Sequence, residues 1–417
     1  MHALIEDPSR IPPALYRRFA RRAQVRAMLP DFLVRGEPYP ALNALLLSSD
    51  DFGHLRELTA TFATLFQRAA TRLASDVPAL IGFGFPWVAA ELLAAEPPRV
   101  PIVGRFDFVR DVEGRWWLLE FNADTPSGIR EAIAIDRLAY ELAPGADRAR
   151  RANDDLAARL GRAFRDKLKD VPIGRLGLVT SANEVEDMAQ IAFTRELISS
   201  PLSQDGFEVI VGDLDDLRTT ARGISLLGRH VEALYRYVPF ESTLGTPAFA
   251  AIYDAVARGR LRLINGLFGL LLQNKALLAW IWEPRTDEMF DWREQEIIAR
   301  HLPATWSMGA YPHDVQRADL VAKQVFGREG EEVIFGEDAS DQSWAGLRRR
   351  DMIAQTRVRV GEVRAVVPTV DGMISLSGFP TVGSFAVDGE WGGFYTRFGA
   401  KITTSSSKWL ATWIESA

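Results

Sequence analysis

The sequence predicts a mixed α+β / α/β protein, and three stretches carry the prediction. The first hundred residues show helical periodicity. Residues 175–264 alternate short apolar strands with helices, the pattern of a small, largely parallel lobe. The last third is strand-rich, with turns at Gly327-Arg-Glu-Gly330 and Gly361-Glu362 and frequent glycines from Gly372 to Gly399. At 417 residues the chain is long enough for two or three packed lobes.

Taken in order, Ser49-Asp50 predicts the start of a helix carrying Leu55, Leu58, Phe62, Leu65, Phe66, Ala69 and Leu73, a stripe for core packing. Arg17, Arg18, Arg21, Arg22 and Arg26 read as a solvated helix face. Residues 105–122 then read as two strands. Phe106 and Phe108 alternate with Arg105 and Asp107, and Trp117, Leu119 and Phe121 alternate with Leu118, Glu120 and Asn122. A two-residue turn at Glu113-Gly114 sets Asp107 opposite Glu120 and Arg105 opposite Asn122. Facing carboxylates destabilise a hairpin unless a cation lies between them, and such oxygen ligands are what magnesium takes beside substrate phosphates. A plain solvated hairpin is the competing reading.

Beyond it, Asp124–Gly128 is a turn with Ser127 as N-cap of a helix through Glu141, and a second helix covers about 148–169. Strands follow at 176–180, 207–211, 223–227, 233–238 and 260–264, with helices at 184–198 and 247–258. Residues 270–283 read as one helix holding Asn274 and Lys275. Strands at 318–326 and 332–335 flank the first glycine turn, and strands at 351–360 and 363–370 the second. A glycine loop can lay N–H groups over phosphates while a neighbouring lysine such as Lys323 neutralises charge, although an exposed turn has the same pattern. Arg397 with the hydroxyls of 396–407 could contact a phosphoryl group or face solvent.

The bulk numbers exclude several classes. Net charge −6 and pI near 5.6 argue against a general nucleic-acid binder. With no cysteine there is no disulfide, thiolate metal site or cysteine nucleophile, and five histidines without metal-pair spacing disfavour a zinc site. No apolar run reaches the ~20 residues of a membrane span, and the charged N-terminus shows no signal peptide, so a cytoplasmic location is expected.

Four ordered blocks over about residues 100–415 closely resemble the glutathionylspermidine synthetase family. They are Arg105-Phe-Asp107 with Leu-Leu-Glu120-Phe-Asn122-Ala-Asp-Thr-Pro-Ser-Gly-Ile-Arg-Glu-Ala, then Leu-Gln-Asn274-Lys275-Ala-Leu-Leu, then Val-Ala-Lys323-Gln-Val-Phe-Gly-Arg328-Glu-Gly330, then Thr-Arg397-Phe-Gly-Ala-Lys-Ile-Thr403-Thr-Ser. The resemblance implies a rearranged ATP-grasp fold with a smaller α/β (pre-ATP-grasp-like) domain. With the helical part over 1–100, it divides the rest into a metal-binding half of the core over 101–170, the small domain over 171–265, and the nucleotide lobe with its lid over 266–417. By the same similarity Asp107, Glu120 and Asn122 hold magnesium, two ions in number, and Lys275, Lys323, Gly327 and Gly330 hold ATP. Arg105 and Arg397 brace the transferring phosphoryl group, while Arg328, Thr125 and Ser127 lie near a carboxylate substrate. The implied activity is an ATP-dependent C–N ligase joining a small-molecule or short-peptide acid to an amine through an acyl phosphate, with no nucleic-acid or membrane partner. No protein nucleophile is needed for this, and the absent cysteine leaves no amidase half. Two departures bear on substrates. Gln324 replaces the usual proline, and the acidic run expected for a polyamine is thin, with Glu184, Glu186 and Asp187 at about that place. A catalytically silent ATP/Mg-binding protein and a phosphotransferase are the alternatives.

Overall fold

A computed structural model describes the chain apart from residues 30–32, 35, 285–287, 328–332, 349–350, 405 and 417. Among the described residues nine strands form the main sheet. Its path runs His2–Ala3, Pro40–Leu47, Lys408–Glu415, Glu390–Gly399, Gly372–Val387, Val103–Arg110, Trp116–Asn122. Val363–Thr369 pairs with the long Gly372–Val387 strand and Ala149–Arg151 with Lys408–Glu415. Lys408–Glu415 runs parallel to Pro40–Leu47, and its other neighbours are antiparallel.

Both faces of this sheet are packed, and in the hairpin Val103–Asn122 period-2 alternation separates an oily face from a polar one. Helix Ser49–Leu73 lies on the oily face, capped by Ser48, whose hydroxyl accepts from the Asp51 N–H at 3.1 Å. Its Phe66 ring meets Phe106 at 5.5 Å and Phe121 at 5.6 Å, and Phe106 stacks on Phe121 at 3.8 Å. Each such ring contributes about 1.5–3 kcal/mol by leaving water. With the phenylalanines committed to that side, Arg105, Asp107, Glu120 and Asn122 must point to the other. There, helices Pro13–Arg26, Asp136–Leu142 and Leu156–Leu168 cover the sheet around Trp409 and Trp413.

Four smaller sheets lie beside it among the described residues, and two of them bear on the site. Arg262–Ile264, Ala233–Arg236, Arg175–Thr180 and Glu208–Asp213 form a four-stranded parallel sheet in that order, flanked by helix Val185–Gln204. Thr305–Ser307, Met352–Thr356, Leu320–Gln324 and Ile334–Phe335 form an antiparallel one.

Several expected elements differ. The helix expected over 270–283 is two helices, Leu267–Gln273 and Ala276–Ile281, because Asn274 leaves helical geometry at ψ 123° and its Oδ1 accepts from the Ala276 N–H. Gly361-Glu362 closes no hairpin. Residues around it run along the 111–115 turn, the Gly361 N–H donating to the Arg110 carbonyl at 2.8 Å, and Val363–Thr369 turns back at Gly372 instead. Ser127 caps no helix, since its hydroxyl and carbonyl both accept from Arg105. The helix expected from 148 starts at Leu156, after a short edge strand. The strand Pro40–Leu47, buried along its whole length, lies unannounced in the helical first hundred residues.

Candidate active site

The hairpin register is Arg105 opposite Asn122 and Asp107 opposite Glu120. The turn that sets it is longer than two residues. Asp111 Oδ1 accepts from the Glu113 and Arg115 N–H groups, and Gly114 takes φ 87°. The extra residue is absorbed by a bulge, because Phe108 pairs with Leu118 and leaves Leu119 unopposed. The carbonyl of Leu119 is then free to accept from Lys323 Nζ at 3.3 Å. The bulge thus restores the carboxylate pair and anchors a lysine.

Asp107 is 1% exposed and Arg105 4%. Arg105 Nε donates to Asp107 Oδ1 at 2.7 Å and Nη2 to Oδ2 at 3.0 Å, a bidentate fork. Arg397 Nη2 reaches the same Oδ2 at 2.8 Å. Asn122 Nδ2 donates to Asp107 Oδ2 at 3.2 Å and lies 3.5 Å from Glu120 Oε1. Arg105 Nη1 donates to the Ser127 carbonyl and hydroxyl, and its guanidinium lies over the Tyr395 ring. Gly383 separates these strands for a steric reason: a Cβ there would sit 2.5 Å from Arg105 Cδ.

The break at Asn274 aims Lys275 inward. Its Nζ donates to the Gly327 carbonyl at 2.7 Å and pairs with Glu120 Oε2 at 3.2 Å. Lys323, on Leu320–Gln324, donates to Gln355 Oε1 at 2.7 Å. Burial alone would raise the Glu120 carboxyl, but Lys275, Lys323 and Arg397 outweigh it and hold it at about 2. Burial pushes the Lys323 ammonium down to about 8, with Glu120 opposing and Lys275 adding to the fall. Burial works against the Arg105 charge as well, yet Asp107 keeps the guanidinium above its ordinary value.

These groups line a cavity of about 500 Å³ holding Asp107, Glu120, Lys275, Lys323, Gly327 and Arg397, a size that suits a nucleotide-sized ligand. Arg105, Asn122, Thr125 and Ser127 are not among the residues lining it: Arg105, on strand Val103–Arg110, reaches it through Asp107 and holds Ser127 in the turn after the hairpin, where Thr125 is half-buried. Arg328 and Gly330 fall outside the described residues. Asp107, Glu120 and Asn122 offer only oxygen donors once the amide turns its Oδ1 inward, a set suited to magnesium. Among the described residues no three His, Cys, Asp or Glu side chains gather as a metal cage. Two carboxylates are a partial shell, which fits a metal that is also bound by substrate phosphates.

Sequence reasoning missed three contributors. Gln355 holds Lys323, Gly383 gives Arg105 room, and Asp124 fastens the hairpin exit to the parallel sheet. The buried Asp124 carboxylate pairs with buried Arg236 and accepts from the Phe240 N–H at 3.0 Å. The signal for that last pair was an arginine inside the apolar run Ala233-Leu-Tyr-Arg236-Tyr-Val. Of the acidic residues considered for an amine, Glu186 pairs with buried Arg130.

Sheet, glycine-loop strands and cation-lined cavity together define an ATP-grasp enzyme with a smaller α/β sheet at its side. Residues 18–415 match the family described as glutathionylspermidine synthase preATP-grasp, and the chain belongs to that family, which makes it an ATP-dependent ligase by class. A candidate acid–amine ligase from Haemophilus influenzae is 24% identical over 291 residues, covering 69% of this chain and 67% of that protein. The structure of a glutathione synthetase-like effector from Globodera pallida matches at 12% identity, with 97% of this chain and 98% of that one covered and a TM-score of 0.68, a likeness of fold. A candidate γ-glutamylcysteine synthetase from Methylobacillus flagellatus KT aligns over 88% of this chain and 89% of its own at 13% identity and TM-score 0.47. No helix of the described residues is long and apolar enough to cross a membrane.

Proposed function

We propose that the protein joins a carboxylate to an amine at the expense of ATP, through an acyl phosphate. The observation that carries this is the meeting of Lys275, Lys323 and Arg397 with the Asp107–Glu120 pair in one cavity, with Arg105 buried against Asp107 behind it. Lys275 and Lys323 hold the polyphosphate. Asp107, Glu120 and Asn122 hold magnesium, which when bound neutralises charge on the phosphates. Arg105 and Arg397 face the transferring phosphoryl group, their guanidinium planes fixed by Asp107, so they need no reorganisation as charge develops.

The acid enters beside Ser127, Thr125 and Arg328. Its carboxylate oxygen bonds to the γ-phosphorus as the bond to ADP breaks. The amine nitrogen then bonds to the acyl carbon, phosphate leaves with the C–O electron pair, and the amine proton passes to solvent. The acid is a peptide or amino acid and the amine a polyamine or amino compound.

The test is ADP and phosphate release with MgATP over crossed acids and amines. Phosphate release that needs both an acid and an amine supports the ligase. ADP formed without free phosphate would make it a phosphotransferase.

A further inference from the structure

We infer that Lys275 and Arg397 make the acidic pair selective for a metal–nucleotide complex over a free divalent cation. The inference rests on the nucleotide site proposed above and concerns which species that site admits.

Every oxygen a metal would take from Asp107 already has a protein donor. Oδ1 receives Arg105 Nε at 2.7 Å, and Oδ2 receives Arg397 Nη2 at 2.8 Å, Arg105 Nη2 at 3.0 Å and Asn122 Nδ2 at 3.2 Å. Glu120 Oε2 has Lys275 Nζ at 3.2 Å. The cations around the pair outnumber it: Arg105, Arg397, Lys275 and Lys323 against Asp107 and Glu120 leave a net charge of +2.

A bare divalent ion must therefore displace two basic groups and enter a positive cavity, with like charges a few ångströms away. A polyphosphate changes both terms. It brings negative charge to match the excess, and it gives Lys275 and Arg397 new partners as the metal takes their places on the carboxylates. The partial metal shell points the same way, because the protein alone supplies too few ligands for a dedicated cage. Lys275 is suited to the exchange: it stands between Glu120 and the Gly327 carbonyl, so a small swing moves its charge from carboxylate to phosphate.

The experiment is titration of Mn²⁺ by electron paramagnetic resonance, with and without ADP, on wild type, Lys275→Met and Arg397→Met, each checked for folding by its melting curve. Wild type should bind Mn²⁺ weakly alone and on the order of tenfold or more tighter with ADP. Lys275→Met should bind Mn²⁺ alone on the order of tenfold tighter than wild type while losing ADP affinity, two effects of opposite sign. Arg397→Met should repeat the pattern and decides the matter if Lys275→Met does not fold. Equal Mn²⁺ affinity with and without ADP, or weaker Mn²⁺ binding in the folded variants, overturns the inference and leaves the ligase reading standing. Failure of wild type to bind ADP in any metal condition overturns both.

Discussion

Replacing Asp124 with asparagine keeps the side-chain shape and removes one charge, and the structure allows its cost to be worked out. Asp124 is 0% exposed and its partner Arg236 1% exposed. Arg236 also donates to the carbonyls of Val238 and Asn265, so its guanidinium is tied in place and cannot reach water when its counter-ion is lost. Removing one partner of a buried pair costs about 3–5 kcal/mol, chiefly because the other charge remains buried and unpaired. The loss is read from urea denaturation of both proteins. Asp124→Leu with Arg236→Met, which removes both charges, should recover most of it. A single-variant loss under about 1 kcal/mol would refute the reasoning. The same variant should raise the acid's KM more than it lowers ATP affinity, since Thr125 and Ser127 follow Asp124 in the turn it secures.

Three further outcomes are expected. Asp107→Ala or Glu120→Ala should reduce magnesium-dependent phosphate release by about a thousandfold or more with circular dichroism unchanged; full activity in both would remove the metal assignment. Because the Lys323 ammonium titrates near 8, nucleotide affinity should fall as pH rises through 8, by at most about tenfold per unit, as the charge that binds phosphate is lost. Calorimetry on Lys323→Met should show weak binding and no such pH dependence. Gly383→Ala puts a Cβ 2.5 Å from Arg105 Cδ and 2.9 Å from the Tyr395 carbonyl, so both Arg105 and the paired strand must move, with a fall in kcat of about a hundredfold and a stability loss of about 1–3 kcal/mol. Phosphate-release kinetics measure it.

Much of the site was legible because β alternation is local. Phe106, Phe108 and Phe121 demand one face, so Arg105, Asp107, Glu120 and Asn122 must share the other. What escaped depends on contacts distant in sequence. The bulge at Leu119 compensates for a turn held by the Asp111 side chain, and no period-2 count shows it. The break at Asn274 is set by an asparagine whose Nδ2 donates to the Phe83 carbonyl at 2.9 Å, from a segment far upstream. Without that bond, residues 270–283 keep every mark of one helix. Pro40–Leu47 is an apolar run broken only by Asn43 and buried on both faces, a pattern that periodicity cannot separate from a helix segment. Gly361 looked like a hairpin turn, yet its N–H serves the 111–115 turn, and the reversal moved to Gly372. Buried Asp124 and Arg236 lie on different sheets, and only the assembled fold pairs them.

The decisive measurement is the mass of the product formed with MgATP, with glutathione, short peptides and amino acids crossed against polyamines and amino compounds. The account predicts turnover for a particular acid and amine together, a product mass equal to their sum less one water, and one ADP and one phosphate for each product formed. Tight ATP binding with phosphate release from no pair, or ADP release that ignores the amine, would contradict it.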